Sequence, residues 1–198
     1  MDRLILATSN QDKVQEISSL LLDLNITVLS INDFSDYPVV VEDQDTLKGN
    51  AIKKAREFAS YFNMPALADD TGLEVDFLNG EPGIFSARYA GEYTSYETNV
   101  QKLLKELDAV PTKERKAQFR TVMSFAIDDQ VYSVEGVCKG LITSDKRGTG
   151  GFGYDPVFYV PKLDKTFAEM SLSEKNQISH RGIALRKAKE LLLSKFGA

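Results

Sequence analysis

Asp69 and Asp70, followed by Thr71 and Gly72, are the residues from which chemistry is most directly read. They close the run Ala66-Leu67-Ala68, which reads as a short buried strand running out into a glycine-containing turn. Charge at the mouth of an apolar strand is costly unless a cation meets it, and a hard metal ion fills that role where phosphates are also handled. An Asx-type turn at a strand end is the alternative.

Partners for such carboxylates are sought along the chain. Thr8, Ser9 and Asn10 are helix-capping residues that follow the apolar run Leu4 to Ala7 and precede Val14, Ile17, Leu20 and Leu21, whose spacing is helical. A strand, a tight polar loop and a helix N-terminus present free N–H groups and a positive dipole end, and Lys13 adds a full charge. Two readings stand: a phosphate cradle, or an ordinary capped helix with a solvated lysine. The P-loop pattern is absent.

Further on, Glu42, Asp43 and Asp45 precede Thr46, a helix N-cap, and Leu47, Ala51, Ala55, Phe58 and Phe62 form one apolar stripe. Asn50 and Lys53 share a face of that helix. If this face looks toward Asp69-Asp70, Lys53 contacts phosphate and Glu42 is a second metal carboxylate; otherwise this is a charged surface helix.

The run from Arg147 to Pro156 is the richest in glycine. Phe152 and Tyr154 offer flat faces and Asp155 an acceptor, which suits a nucleobase; a long glycine-rich hairpin is the alternative. His180, the only histidine, opens the last helix beside Arg181 and close in sequence to Lys175, a compact set of donors. One histidine without cysteine companions cannot build a zinc site.

The elements that must position these groups follow from patterning. Residues 25–41 read as a strand, a loop and a short strand ending in Val39 to Val41. Leu73, Val75 and Phe77 alternate with polar residues, and Asn79-Gly80 makes a turn. Arg88 meets an anion or pairs with an acidic neighbour. Thr94 with Glu97 reads as a capping box before Val100, Leu103, Leu104 and Leu107, and Ser171 with Glu174 as another. Ala117 to Ile127, with Phe119, Thr121, Met123, Phe125 and Ile127 on one side, turns at Asp128-Asp129 into Val131 to Val137, and Gly140 to Thr143 is a further strand. The last helix carries Ala184, Ala188, Leu191, Leu192 and the stem of Lys195 on its stripe. Strand–helix alternation early and a hairpin late predict a mixed sheet.

The 198 residues suit one domain, and 42% hydrophobic with 27% charged residues is ordinary globular composition. A net charge of −5 argues against a nucleic-acid scaffold. Cys138, the only cysteine, excludes a disulfide framework and fits a reducing compartment. The N-terminal apolar run is too short for a signal peptide or membrane span, so a cytoplasmic protein without membrane attachment is expected.

Taken together, LATSNQDK (6–13), NAIKKA (50–55), ADDTGLEVD and GEPGIFSARYAG within 68–91, GTGGFGYDPVF (148–158) and FAEMSLSEKNQISHRG (167–182) resemble, in order, the inosine triphosphate pyrophosphatase family of XTP/dITP diphosphatases. The resemblance implies an elongated mixed α/β fold with two lobes around a central cleft, a homodimer, and Mg²⁺-dependent hydrolysis of a non-canonical purine nucleoside triphosphate to monophosphate and pyrophosphate. It further implies that Thr8, Ser9, Asn10, Gln11, Asp12, Lys13 and Lys53 hold the triphosphate, that Glu42 and Asp70 bind the metal with Asp70 also accepting a proton, and that Thr71 touches substrate. Phe152 would stack on the base, Gly153 and Tyr154 would also contact substrate, and Asp155, Lys175, His180 and Arg181 would read the base edge. Three positions depart from the family pattern: Gly49 replaces Glu, Thr71 replaces Ser and Ser9 replaces Gly. The alternatives are a diphosphatase for modified pyrimidine triphosphates and, motivated by Gly49, a nucleotide sensor without catalysis.

Overall fold

The computed structural model describes residues 3–22, 24 and 26–196. In chain order the elements are β1 (Arg3–Leu6), α1 (Gln11–Leu21), β2 (Thr27–Ser30), α2 (Leu47–Phe62), β3 (Ala66–Val75) and β4 (Pro82–Gly83). They continue with α3 (Tyr96–Glu106), β5 (Lys116–Ile127), β6 (Gln130–Ile142), β7 (Phe158–Val160), β8 (Lys165–Thr166), α4 (Leu172–Ile178) and α5 (His180–Phe196). The strands form one mixed sheet in the order β2-β1-β3-β5-β6-β7-β8, with β4 paired to β3. β1 runs parallel to β2 and β3, where helices make the crossovers, whereas β7 is antiparallel to β6 and β8.

The chain divides into two compact units, the first made of Met1–Asp70, Thr121–Gly136 and Arg181–Ala198, the second of Thr71–Arg120 and Val137–His180. In the first, strand alternation sorts the apolar residues into two layers. Ile5, Ala7, Ala66, Ala68 and Ala126 pack on Ala55 and Phe58 of α2. Leu4, Leu6, Leu67, Met123 and Phe125 face the other way, onto Ile17 and Leu21 of α1 and Ala184, Leu185, Ala188 and Leu192 of α5. Burial on both faces is why β1 reads as an unbroken apolar run. Leu20, also read on the α1 stripe, and Lys195, read on the last helix's stripe, have side chains outside the described residues.

The second unit has its own core, in which Leu73, Val75, Phe119, Cys138, Phe158 and Phe167 meet Val100 and Leu103 of α3. Gly72 is needed there because a Cβ would lie 2.6 Å from the carbonyl oxygen of Gly83 on β4. Burial pushes the Cys138 thiol up to about 11. The native protein at pH 8 should therefore react negligibly with a disulfide reagent such as DTNB, and fully once unfolded in guanidinium; rapid native labelling would show that this core opens locally.

Several sequence expectations are corrected. Asp69 and Asp70 do not end a strand, for β3 continues through Thr71 and Gly72 because Leu73 and Val75 are both fully buried. Phe77 leaves the strand in the turn Asp76–Leu78 and is 56% exposed, while Asn79 and Gly80 supply the left-handed residues of the expected turn. Val39 to Val41 form no strand; Val40 packs on the α2 layer while Val39 is 89% exposed, so the β-branched run meets a core on one side and has no sheet partner. β6 is one strand where two segments were expected, and β5 is buried on both faces from Thr121 to Ala126. The α3 capping box is Ser95 with Thr98, one residue later than read, whereas Ser171 with Glu174 caps α4 as expected.

Candidate functional site

Because successive side chains of a strand point to opposite faces, β3 sends Asp69 and Asp70 to different neighbours. Asp69 follows Leu67 toward α1 and α5. Its Oδ2 lies 2.9 Å from Lys13 Nζ and 3.8 Å from Arg181 Nε, and Arg181 Nη1 also donates to Glu16. Burial alone would raise the Asp69 carboxyl, but Lys13, Arg181 and Lys54 together hold it well below the usual carboxylate range. Lys13 is thus engaged by a buried carboxylate and is not the solvated lysine of the alternative reading.

Asp70 follows Ala66 and Ala68 toward α2. Asn50 Nδ2 donates to its Oδ2 at 3.1 Å, and Lys54 Nζ lies 3.9 Å from Oδ1 while also donating to Glu42. Burial pushes the Asp70 carboxyl up; Lys54 opposes this and Glu42 adds to it. For Lys54, burial would lower the ammonium, yet Asp70 and Glu42, with Asp69, raise it instead.

Here the structure amends the sequence reading. Lys53 turns away from Asp70: its ammonium donates to Val41 O at 2.9 Å and to Asp43 Oδ1 at 2.8 Å. Lys54 takes the expected place. The signal was available, since residues four apart on a helix lie about 40° from one another around the axis and residues three apart about 60°; Lys54 is therefore closer than Lys53 to the direction of Asn50.

Whether a divalent cation fits can be tested on the donors present. Among the described residues no cluster of three or more His, Cys, Asp or Glu is arranged to hold a metal ion. Glu42 and Asp70, however, both reach the ammonium of Lys54, so two hard oxygen donors already converge on one positive charge. Magnesium is commonly held by one or two carboxylates and completes its shell with water and substrate phosphates. The pair fits that pattern.

Around the first turn of α1, Asn10 Oδ1 accepts from the backbone N–H groups of Asp12 and Lys13 at 3.0 and 3.3 Å, and Thr8 Oγ1 accepts from Asn10 N. Asn32 Nδ2 donates to Ser9 O. Ser9, Gln11 and Asp12 are exposed. The loop is thus a capped helix start whose lysine reaches into the carboxylate network.

In the second unit the glycine-rich segment is the long irregular loop of a hairpin: it joins the antiparallel strands β6 and β7, and Arg147 N donates to Pro156 O at 2.8 Å. Asp155 is 3% exposed, and its Oδ2 accepts from Phe152 N at 2.9 Å and Lys175 Nζ at 2.7 Å. Gly151 is required, for its φ is +69° and a Cβ would fall 2.0 Å from Asp155 Oδ2. Lys175 Nζ stands 4.8 Å from the centre of the half-buried Phe152 ring, whose other neighbour is Tyr96 at 5.9 Å. His180 stacks on Phe119 at 4.4 Å. Thr71 is half-buried on β3, next to Asp70 in the chain, and Gly153 has open space beside it, with φ +61°.

One expected role does not match these positions. Tyr154 offers no open face, being 5% exposed with its hydroxyl donating to Ser86 O. Arg181, which follows His180 in the chain, is engaged by Glu16 and Asp69. Lys54, Asn50 and Glu16 are the additions. Glu16 gave no signal beyond a helix position one before the buried Ile17.

Comparison with known proteins places these residues in a family. A family model described as the Ham1 family matches residues 4–191. The dITP/XTP pyrophosphatase of Geobacter sulfurreducens is 49% identical over 193 residues, covering 97% of each chain. The corresponding protein of Desulforamulus reducens is 48% identical over 191 residues, covering 96% of this chain and 95% of its own. Among solved structures, the Staphylococcus aureus Ham1 protein superposes with a TM-score of 0.88 at 42% identity, over 98% of this chain and all of that one. A Coxiella burnetii HAM1 protein gives 0.89 at 41% identity with the same coverage. With the family model spanning nearly the whole chain and relatives this similar over their full length, the chain belongs to the Ham1 family.

Proposed function

We propose that this protein hydrolyses non-canonical purine nucleoside triphosphates, such as dITP, ITP and XTP, to the monophosphate and pyrophosphate, and so clears them from the nucleotide pool. The observation that carries the reading is the convergence of Glu42 and Asp70 on the Lys54 ammonium, in a chain whose relatives bear the name dITP/XTP pyrophosphatase.

In this reading Glu42 and Asp70 hold Mg²⁺, which neutralises developing charge on the phosphate oxygens. Lys13 and Lys54, with the N–H groups of the Thr8-to-Lys13 loop, bind the triphosphate. Asp70 accepts a proton from the water that attacks the α-phosphorus; the bond from that phosphorus to the bridging oxygen breaks, and pyrophosphate leaves with the electron pair. Thr71 touches substrate from the next position of β3. Phe152 stacks on the base, and the Asp155–Lys175 pair with His180 presents polar groups to its edge. A 6-keto oxygen satisfies such donors and a 6-amino group opposes them, which disfavours adenine by about 1 to 3 kcal/mol. Arg181 holds Asp69 and Glu16 and, next to His180 in the chain, completes the donors at the base edge.

No helix among the described residues is long and apolar enough to cross a membrane. A cytoplasmic homodimer acting on a small-molecule substrate, with no nucleic acid, completes the proposal. The test is a panel of dITP, ITP, XTP, GTP, ATP and modified pyrimidine triphosphates with Mg²⁺ and separate readouts for pyrophosphate and orthophosphate. Pyrophosphate from the hypoxanthine and xanthine nucleotides is expected, with ATP spared. Orthophosphate and a diphosphate as products would overturn the reaction, and preferred pyrimidine turnover would overturn the substrate class.

A further inference from the structure

Glu42 stands on a segment without regular structure. Between Phe34 and Thr46 the chain forms neither helix nor strand; Phe34, Tyr37 and Val40 pack on the α2 layer, but Val39 and Val41 are 89% and 62% exposed, so apolar packing ends before Glu42. Three neighbouring side chains of α2 tie it down instead. Lys54 donates to Glu42 itself, Asn50 Oδ1 accepts from Gln44 N at 3.0 Å, and Lys53 Nζ donates to Val41 O at 2.9 Å and Asp43 Oδ1 at 2.8 Å. Gln44 Nε2 closes the arrangement on the same Asp43 oxygen at 2.7 Å. Gly49 makes room for this, because a Cβ there would lie 2.8 Å from Gln44 Cβ. The position where the family pattern carries Glu is thus the one over which Gln44 lies in this chain.

We propose that Lys53 is a positioning residue for Glu42. By gripping the backbone carbonyl of the residue before it and the carboxylate of the residue after it, one ammonium fixes both flanks of Glu42. The Glu42 carboxylate is then aimed at the position Lys54 marks before any cation arrives, and less ordering is required on binding. An isolated exposed ion pair contributes little by itself. This one acts on the stretch after Val40, where apolar packing on α2 ends, and Lys53 need not touch phosphate to matter.

The inference rests on reading Glu42 as a metal carboxylate, and the experiment separates the two. Mn²⁺ is the probe, its binding to the nucleotide-free full-length protein followed by loss of the free-ion signal in electron paramagnetic resonance, beside thermal melting and hydrogen exchange. Lys53→Met is expected to weaken Mn²⁺ binding about 3- to 10-fold with an unchanged melting temperature, and to speed exchange of the Gln44 amide. Glu42→Gln should weaken binding at least as much. Wild-type Mn²⁺ affinity in Lys53→Met alongside weakened Glu42→Gln overturns the positioning role and leaves Glu42 as a ligand. Wild-type affinity in Glu42→Gln overturns the metal reading and the inference with it. Weakened binding that merely accompanies a lowered melting temperature also overturns it, since general destabilisation then accounts for the loss.

Discussion

Asp70→Asn is expected to lower the rate of pyrophosphate release by about 10²- to 10⁴-fold, the range associated with removing a positioned general base. Loss of a metal carboxylate acts in the same direction. Folding should survive. Asparagine has the same shape, and its amide oxygen can still accept from Asn50 Nδ2, now 3.1 Å from Asp70 Oδ2. Burial and the nearby Glu42 push the Asp70 carboxyl up, so the native site bears part of the cost of keeping a charge there. Neutralising it removes that cost, and Lys54 retains Glu42 as a partner. Steady-state pyrophosphate release together with a urea unfolding curve checks both halves. Undiminished turnover in a folded variant removes Asp70 from the mechanism. Lost activity with a collapsed unfolding midpoint makes its role structural.

Much of this arrangement was legible in the sequence because it depends on local periodicity. β1, the caps at Asn10, Thr46 and Ser171, the apolar stripe of α2 and the β5–β6 hairpin follow from spacing and capping chemistry alone. What was misread turns on tertiary context. Thr71-Gly72 looks like a turn until Gly72 is seen to admit the backbone of β4, and Val39 to Val41 looks like a strand until no partner is found for it. The division between Asp69 and Asp70 has the same origin: a strand that stops at Ala68 leaves them equivalent, whereas one that continues must turn them to opposite faces. Lys53 and Lys54 lie about 100° apart around α2, on opposite sides of Asn50, and the side of Lys54 is the one that faces Glu42 and Asp70.

The role of Asp69 leads to the second large effect. Asp69→Asn is expected to destabilise the protein by about 3 to 5 kcal/mol, the cost of breaking a buried charge network by removing one member. Its side chain is fully buried, and those of Arg181 and Glu16 are 3% and 6% exposed, so Lys13 and Arg181 would face a neutral amide with little water to compensate. Such a loss is a large fraction of the roughly 5 to 15 kcal/mol that stabilises a typical domain. The pH dependence carries the sign. Asp69 is held well below its ordinary 3.8, so its contribution is fully present above that value and is lost as pH falls toward the depressed one. The stability gap between wild type and Asp69→Asn should therefore stay constant from pH 8 to about 5 and narrow in more acidic solution. Removing Lys13 as well, as Lys13→Met, should recover part of the loss, giving a coupling of the opposite sign to the single effects. A cost under about 1 kcal/mol, or additive losses, would show that the apolar layers alone hold α1 and α5 against the sheet. The contrast with Asp70 is then direct: adjacent carboxylates on one strand, of which one substitution is expected to remove activity from a stable protein and the other to remove stability first.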